Sequence, residues 1–306
     1  MAMESFPEYP VFKEISLDDA AFFNELFSVY PAEISEFTFT NLFMWRKYYC
    51  FSWTVWDGFL CIMAQPPRHQ PFFLPPIGEH SVLLKKKVCD CIRHLRGMGF
   101  DGTVQRFPET LFAQHFTADR EIDAVPDRDN ADYVYLCENL ISLPGNRYHR
   151  KKNQINHFKK NHAFQYQPLT AKLVPQCLAL QNHWCDLKHC DLVPSLSGEE
   201  KAIHEALANI DRLSFKGGTI VIDGKIEAFT LGEALNTDTF VIHIEKANPA
   251  FEGLYQALNQ MFMEQECAAF SYVNREQDLG EEGLRQAKQS YLPHHMVNKY
   301  TLRLTR

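Results

Sequence analysis

Glu245-Lys246 and Asn274-Arg275-Glu276, with Asp278 shortly after, place carboxylates, an amide, a guanidinium and an ammonium at the ends of two stretches that read as β-strands, Thr239 to Glu245 and Ala269 to Val273. Groups of these types that meet at strand ends can move protons and hold anions or carbonyls. A carboxylate of Glu245 or Glu276 can take the proton of an attacking amine, directly or through water, or recognise the ammonium of an amino-acid substrate, while Asn274 and Arg275 can polarise a carbonyl or anchor a phosphate. Glu245, Asn274 and Glu276 are therefore the candidate catalytic residues. Lys246, Arg275 and Asp278 are candidates for substrate binding, with Lys288 and Tyr291 completing the pocket from the predicted helix Glu281 to Gln289 and its exit. The plainer alternative makes Asp278-Leu279-Gly280 a helix entry and Glu276 with Lys288 a surface pair.

A second concentration of chemistry is basic. Between Glu138 and Asp186 there is no Asp or Glu, and Leu143 to Asn161 carries Arg147, Arg150, Lys151, Lys152, Lys159 and Lys160 in a chain whose formal net charge is −7. Such a local positive field attracts phosphates, acidic surfaces or anionic lipid. A solvated helix joining two lobes is the alternative. Tyr148, Ile155 and Phe158 are available to dock it.

Other constellations are weaker. His183, Cys185, His189 and Cys190 look like metal ligands, but on one helix His183 and Cys190 share a face while Cys185 and His189 lie nearly opposite, so one ion does not collect all four. Cys89 and Cys91 are too close for the common zinc spacing, and His294-His295 reads as structural or solvated. No metal site is expected. Neither a nucleophile elbow, a phosphate-binding P-loop nor a dinucleotide fingerprint is present.

With 306 residues, two domains are the natural expectation. Apolar residues at 45%, including 24 Phe, supply two cores and exclude a disordered chain. Nine cysteines, mostly within apolar patterns, point to reduced thiols. Met1 to Pro10 lacks the order of a secretory signal, and the most apolar stretch, Tyr49 to Ala64, is interrupted by Asp57-Gly58. A cytoplasmic location without a transmembrane segment is the expectation.

The elements that must position the candidate groups follow from periodicity. Val11 to Ile15 reads as a strand, then come helices from Asp18 and from about Thr40, and strands Cys50 to Trp56 and Phe59 to Ala64 around Asp57-Gly58, a strong hairpin signal. Phe72 to Leu74 is a strand, Ser81 to Met98 a helix and Thr103 to Phe107 a strand. A short helix from Pro108, a polar loop through Asp127 and a closing strand Tyr133 to Cys137 complete the half. The second half repeats the order with strand Phe164 to Pro168, helices Val174 to Cys190 and Gly198 to Ile210, and strands Gly218 to Ile222 and Ile226 to Leu231 around Asp223-Gly224. Strand Thr239 to Glu245, helix Glu252 to Glu266, strand Ala269 to Val273, helix Glu281 to Gln289 and strand Lys299 to Leu304 follow. A hairpin-rich sheet turning parallel around a third helix is the order of the Gcn5-related N-acyltransferase fold. The predicted class is α+β, a tandem of two such folds with mixed sheets flanked by helices: an N-terminal lobe over residues 1–143, a basic connecting helix over 144–161 and a C-terminal lobe over 162–306.

Three blocks carry a resemblance: Ser35-Glu36-Phe37-Thr38-Phe39-Thr40-Asn41; Leu143-Pro144-Gly145 with Lys151-Lys152-Asn153-Gln154-Ile155-Asn156-His157-Phe158; and Asn274-Arg275-Glu276-Gln277-Asp278-Leu279-Gly280 with Leu284, Lys288, Tyr291 and Pro293. In this order they resemble the phosphatidylglycerol lysyltransferase C-terminal domain family, over nearly the whole chain. That family is similar to Fem-type aminoacyltransferases, tandem N-acyltransferase folds that take an amino acid from aminoacyl-tRNA. The resemblance implies transfer of an aminoacyl group from an aminoacyl-tRNA-like, phosphate-bearing donor to an amine or hydroxyl, with a small molecule, peptide or lipid headgroup open as acceptor. It also implies that Arg150, Lys151, Lys152 and Asn153 bind an anion or tRNA. The family tends to show Lys-Arg-Asn where this chain has Lys151-Lys152-Asn153, exchanging a planar bidentate donor for a point charge.

Two other functions remain open. An acyl-CoA-dependent N-acyltransferase would bind pyrophosphate at the helix after the fourth strand, but Glu245 to Leu254 has one glycine and lacks the usual Gln/Arg-x-x-Gly-x-Gly/Ala run, so no cofactor is expected. A non-catalytic anion- or RNA-binding protein is the other. Alanine at both Lys151 and Lys152 is predicted to weaken anion or tRNA binding and to make it less salt-dependent; an unchanged salt slope in filter-binding titrations returns the segment to a plain linker.

Overall fold

The chain builds two seven-stranded mixed sheets, and its final strand returns to the sheet built by the first half. The computed structural model describes residues 6–67, 69–79, 82–117 and 120–305. In chain order the first half has β1 (Lys13–Glu14), α1 (Ala20–Val29), α2 (Phe39–Tyr49), β2 (Ser52–Trp56), β3 (Phe59–Ala64), β4 (Phe72–Phe73), α3 (Val82–Gly97), β5 (Val104–Pro108), α4 (Glu109–His115) and β6 (Ile122–Pro126). Ser81, the expected first residue of the α3 segment, and residues 1–5 of the expected non-signal N-terminus lie outside the described residues. The second half has β7 (Asp132–Leu136), α5 (Cys137–Ser142), α6 (His149–Asn161), β8 (Phe164–Pro168), α7 (Val174–Lys188), α8 (Pro194–Ala208), β9 (Lys216–Ile222) and β10 (Lys225–Ala234). It ends with β11 (Thr239–Ala247), α9 (Leu254–Phe262), β12 (Tyr272–Asn274), α10 (Glu282–Gln289), β13 (His295–Val297) and β14 (Lys299–Leu304).

Both expected Asp-Gly turns form. Asp57 and Gly58, and Asp223 and Gly224, all have positive φ, the backbone a two-residue hairpin of matching twist requires. They pair Trp56 with Phe59 and Ile222 with Lys225. Leu84, Val88, Ile92 and Leu95 recur at helical spacing along α3 and are fully buried against the first sheet's core. Thr38 starts α2 by accepting the Asn41 N–H at 3.1 Å.

The first sheet has the order β1-β2-β3-β4-β5-β14-β6 and the second β13-β7-β12-β11-β10-β9-β8. The order around the third helix of each half is the expected one: β4 and β5 are parallel, as are β11 and β12. The seventh strand of each sheet is not where the linear reading put it. The strand expected to close the first half is β7, which pairs with β12, while the final strand β14 lies between β5 and β6. The chain accordingly divides into one unit of residues 1–131, 277–280 and 297–306 and another of 132–276 and 281–296.

Three further expectations change. The polar loop before Asp127 contains strand β6, whose alternation is obscured by Asp123 and Pro126. The basic segment is α6, part of the second unit, where Tyr148, Ile155 and Phe158 pack with Leu254, Ala257 and Leu258 of α9. Gly253 at the start of α9 has φ +84°, and a Cβ there would lie against the Gln154 carbonyl of α6, so this glycine serves close helix packing. Helix α7 ends at Lys188 with His189 left-handed, which breaks the single-helix geometry expected through Cys190; Cys185 and Cys190, expected as reduced thiols, are joined to each other.

In the first unit the Ser35–Asn41 block buries charge. Lys299 Nζ of β14 donates to both oxygens of Glu36, at 2.9 and 2.8 Å, and both side chains are almost completely enclosed. Arg106 lies 3.5 Å from the same carboxylate, and Gln277 donates to it at 3.0 Å and to Ser35 at 2.7 Å. No helix among the described residues is long and apolar enough to cross a membrane. Because removing one partner of a buried pair strands the other charge, Lys299→Met is expected to cost about 3 kcal/mol or more in urea unfolding; a loss below about 1 kcal/mol would show that β14 is not anchored by this pair.

Candidate active site

The parallel pair β11–β12 is bonded only from Thr239↔Tyr272 to Val241↔Asn274. Beyond it β11 runs on to Ala247, while the other chain stays with β7: Arg275 N–H donates to Tyr133 O at 2.9 Å, and Tyr133 N–H donates to Glu276 O at 3.2 Å. Side chains span the opening between them.

A β-bulge determines which side chains these are. Leu231 pairs with Ile244 and Gly232 with Ile242, leaving His243 as the extra residue. Gly232 fits there because a Cβ would strike the Val241 carbonyl. Phe240 and Ile242 pack with Phe262 at the end of α9, yet Ala247, of opposite parity, packs with Leu254, Ala257 and Leu258 of the same helix. The bulge thus inverts the alternation and turns Glu245 towards α9.

Glu245 accepts from Asn259 Nδ2 at 2.8 Å and from Arg275 at 2.5 Å through Nη2 and 3.2 Å through Nε. Both its oxygens are engaged, so it is the counter-ion of Arg275 more than a vacant base. Burial opposes the charge of Arg275, but Glu245 outweighs it and the guanidinium's pKa is raised. Arg275 Nη1 is buried and finds no acceptor among the described residues. The Tyr291 ring lies between two cations, Lys151 Nζ at 4.1 Å and the Arg275 guanidinium at 4.8 Å from its centroid. Burial, then the charges of Arg275 and Arg150, lower Lys151 to about 8. Lys288 donates to the Arg275 carbonyl; burial lowers it to about 8 against the opposing pull of Glu276.

Beside this cluster His243 bridges two carboxylates, Glu276 at 2.8 Å from Nδ1 and Glu233 at 3.0 Å from Nε2. Burial disfavours the imidazolium, but the two carboxylates prevail and raise its pKa to about 9. Glu276 has φ +57°, held by its N–H donating to Asn274 Oδ1 at 2.8 Å.

Of the residues singled out from sequence, Glu245, Glu276, Arg275, Lys288, Tyr291 and Lys151 come together in the second unit. Asn274 is adjacent, but its amide is occupied by Asp132 at 3.0 Å and by the Glu276 N–H, which makes it a positioning group instead of a carbonyl donor. Lys246 points elsewhere: it pairs with Glu199 at 2.7 Å and stacks on Trp184 at 3.6 Å, and burial lowers its pKa despite Glu199. Asp278 belongs to the first unit, where it is fully buried, pairs with Arg128 at 3.0 Å and accepts the Gly280 N–H at 2.9 Å, so its expected substrate contact gives way to a structural one. Arg150 and Asn153 are exposed on α6, Asn153 bonding to His149, and Lys152 is half-buried. Sequence reasoning missed His243, Glu233 and Asn259. A histidine inside the otherwise apolar run Phe240-Val241-Ile242-His243-Ile244 was the signal for the first. Among the described residues no group of three or more His, Cys, Asp or Glu side chains could hold a metal ion.

Two mixed sheets, each turning parallel around a helix, one of them parting over a buried guanidinium, define a tandem Gcn5-related N-acyltransferase fold. The chain belongs to the family described as phosphatidylglycerol lysyltransferase, C-terminal, whose model matches residues 27–303. A conserved protein of unknown function from Bacteroides thetaiotaomicron is similar at 30% identity and a TM-score of 0.87, over 98% of this chain and 100% of that one. The C-terminal domain of a protein assigned as a lysylphosphatidylglycerol synthetase from Agrobacterium fabrum gives 0.67 at 12% identity, covering 95% and 93%. FemX gives 0.57 at 6%, covering 95% and 96%. These last two likenesses are of fold. No curated protein matches the chain.

The His243 shift has a stability consequence. Its pKa rises on folding from the ordinary 6.5 to about 9, so the contribution is complete below 6.5 and disappears as pH climbs through 9. Lys151 and Lys288, depressed to about 8, act with opposite sign, their penalty fading as pH rises from 8 towards 10.5. Melting temperatures of the wild type and His243→Gln should therefore converge between pH 7 and 9.5; a constant difference would show that His243 is not charged in the fold.

Proposed function

We propose that this chain transfers an aminoacyl group from an aminoacyl-tRNA-like, phosphate-bearing donor to an amine or hydroxyl acceptor. The observation that carries the reading is Arg275: a buried guanidinium, fixed by Glu245, whose Nη1 has no acceptor among the described residues where β11 and β12 part. A donor held there with so little water stabilises the oxygen of a carbonyl under attack, or a phosphate, far better than in solvent. Lys151, stacked on Tyr291, is the second cation for the same oxygen or a neighbouring phosphate.

In the proposed reaction the acceptor nitrogen or oxygen attacks the ester carbonyl carbon, and its proton passes to Glu276. The bond from that carbon to the ribose oxygen breaks, and the departing oxygen takes a proton from Lys288, whose pKa of about 8 leaves it protonated at neutral pH but ready to donate. The reaction draws on the donor and the chain's own side chains, with no cofactor. Family membership and the FemX-like fold support this reading, and the basic face of α6 suits a donor rich in phosphate.

The test is an assay with a set of charged tRNAs and a panel of amine, hydroxyl and lipid-headgroup acceptors. Transfer is expected from at least one donor, with Arg275→Lys lowering kcat/KM about 100-fold. Absence of transfer from a folded protein that also binds no tRNA would overturn the reading.

A further inference from the structure

We propose that His243 and Glu233 are positioning residues for Glu276, holding its carboxylate oriented as the proton acceptor of the transfer. The inference rests on the aminoacyl-transfer reading and adds the groups through which its base works.

The geometry runs in one direction. Glu233 on β10 is 9% exposed, His243 on β11 is 0% exposed, and Glu276 beyond β12 is 16% exposed, so Glu276 is the more accessible of the two carboxylates. Its backbone is placed first: a left-handed Glu is unfavourable, and the conformation is retained by bonds to Asn274 Oδ1 and the Tyr133 N–H. Its side chain is placed second, by His243 Nδ1 at 2.8 Å. The ring is itself immobilised, because the bulge fixes its direction and Glu233 holds Nε2 at 3.0 Å.

Two carboxylates on one imidazole change its chemistry. Each ring nitrogen faces an acceptor, an arrangement satisfied by two donors, hence by the imidazolium. That cation has no lone pair with which to take a proton. His243 is therefore not the base but a fixed positive charge beside Glu276, and the pKa of about 9 agrees with this. Lys288 from α10 interacts with Glu276, and Arg275, Asp132 of β7 and Glu245 surround that lysine. During transfer Glu276 receives the acceptor's proton and later returns it to water; His243 keeps its proton throughout.

The test combines pH–rate profiles with NMR of the imidazole ring on the full chain. His243→Gln removes the ring that orients Glu276: kcat should fall about 10- to 100-fold, and the donor KM should stay within about threefold. Glu233→Gln keeps the ring but removes one carboxylate. It should lower the pH at which the His243 ring signal reports deprotonation and pull the alkaline limb down with it. This variant carries the test if His243→Gln does not fold. A wild-type ring that is neutral at pH 7, or a kcat that His243→Gln leaves within about threefold of the wild type, overturns the positioning role alone. A wild type that transfers nothing from any donor overturns both this role and the reading beneath it.

Discussion

One extra residue in β11 organises the second unit. With regular alternation Lys246, not Glu245, would share the α9 face with Phe240 and Ile242. The bulge at His243 reverses that order, so a carboxylate meets Arg275 and Asn259 while the lysine is sent to Glu199 and Trp184. The parted strands then supply the opening. The Glu245–Arg275 pair and the Glu233–His243–Glu276 chain both depend on this local exception to the period of a strand.

The two units handle the same topological position differently. In the first, the second strand of the parallel pair, β5, carries Arg106, in a left-handed conformation, held by the Tyr49 hydroxyl at 2.7 Å and lying 3.5 Å from Glu36, which Lys299 also neutralises. In the second, Arg275, just beyond β12, is paired with Glu245 and presents a buried Nη1 with no acceptor among the described residues. A buried donor left unmatched is costly. This difference, not any difference in fold, makes the second unit the candidate for chemistry.

Much of the architecture was legible. The Asp-Gly turns, the helical spacing in α3 and the strand–helix order of both halves follow from local preferences that hold whatever the partner. Glu245, Arg275 and Glu276 were legible as charged residues clustered at predicted strand ends, and Lys151, Lys288 and Tyr291 through the blocks that carry the family resemblance. Asn274 and Asp278 sat in the same block with the same chemical credentials, yet their polar atoms are spent on Asp132, the Glu276 N–H, Arg128 and the Gly280 N–H. Composition does not reveal which hydrogen-bonding groups are already satisfied.

By itself the sequence determined the elements, the two-fold repetition of their order and the inventory of ionisable groups, since these arise from φ preferences, periodicity and side-chain chemistry along contiguous residues. Only the tertiary structure decided that β7 and β14 lie in each other's expected sheets, because a strand's pattern records which face is apolar and not which neighbour takes its backbone hydrogen bonds. It likewise decided that His243 stands between Glu233 and Glu276: those residues are far apart in sequence or out of phase, and one inserted residue, felt only against the register of β10, brings them within hydrogen-bonding distance.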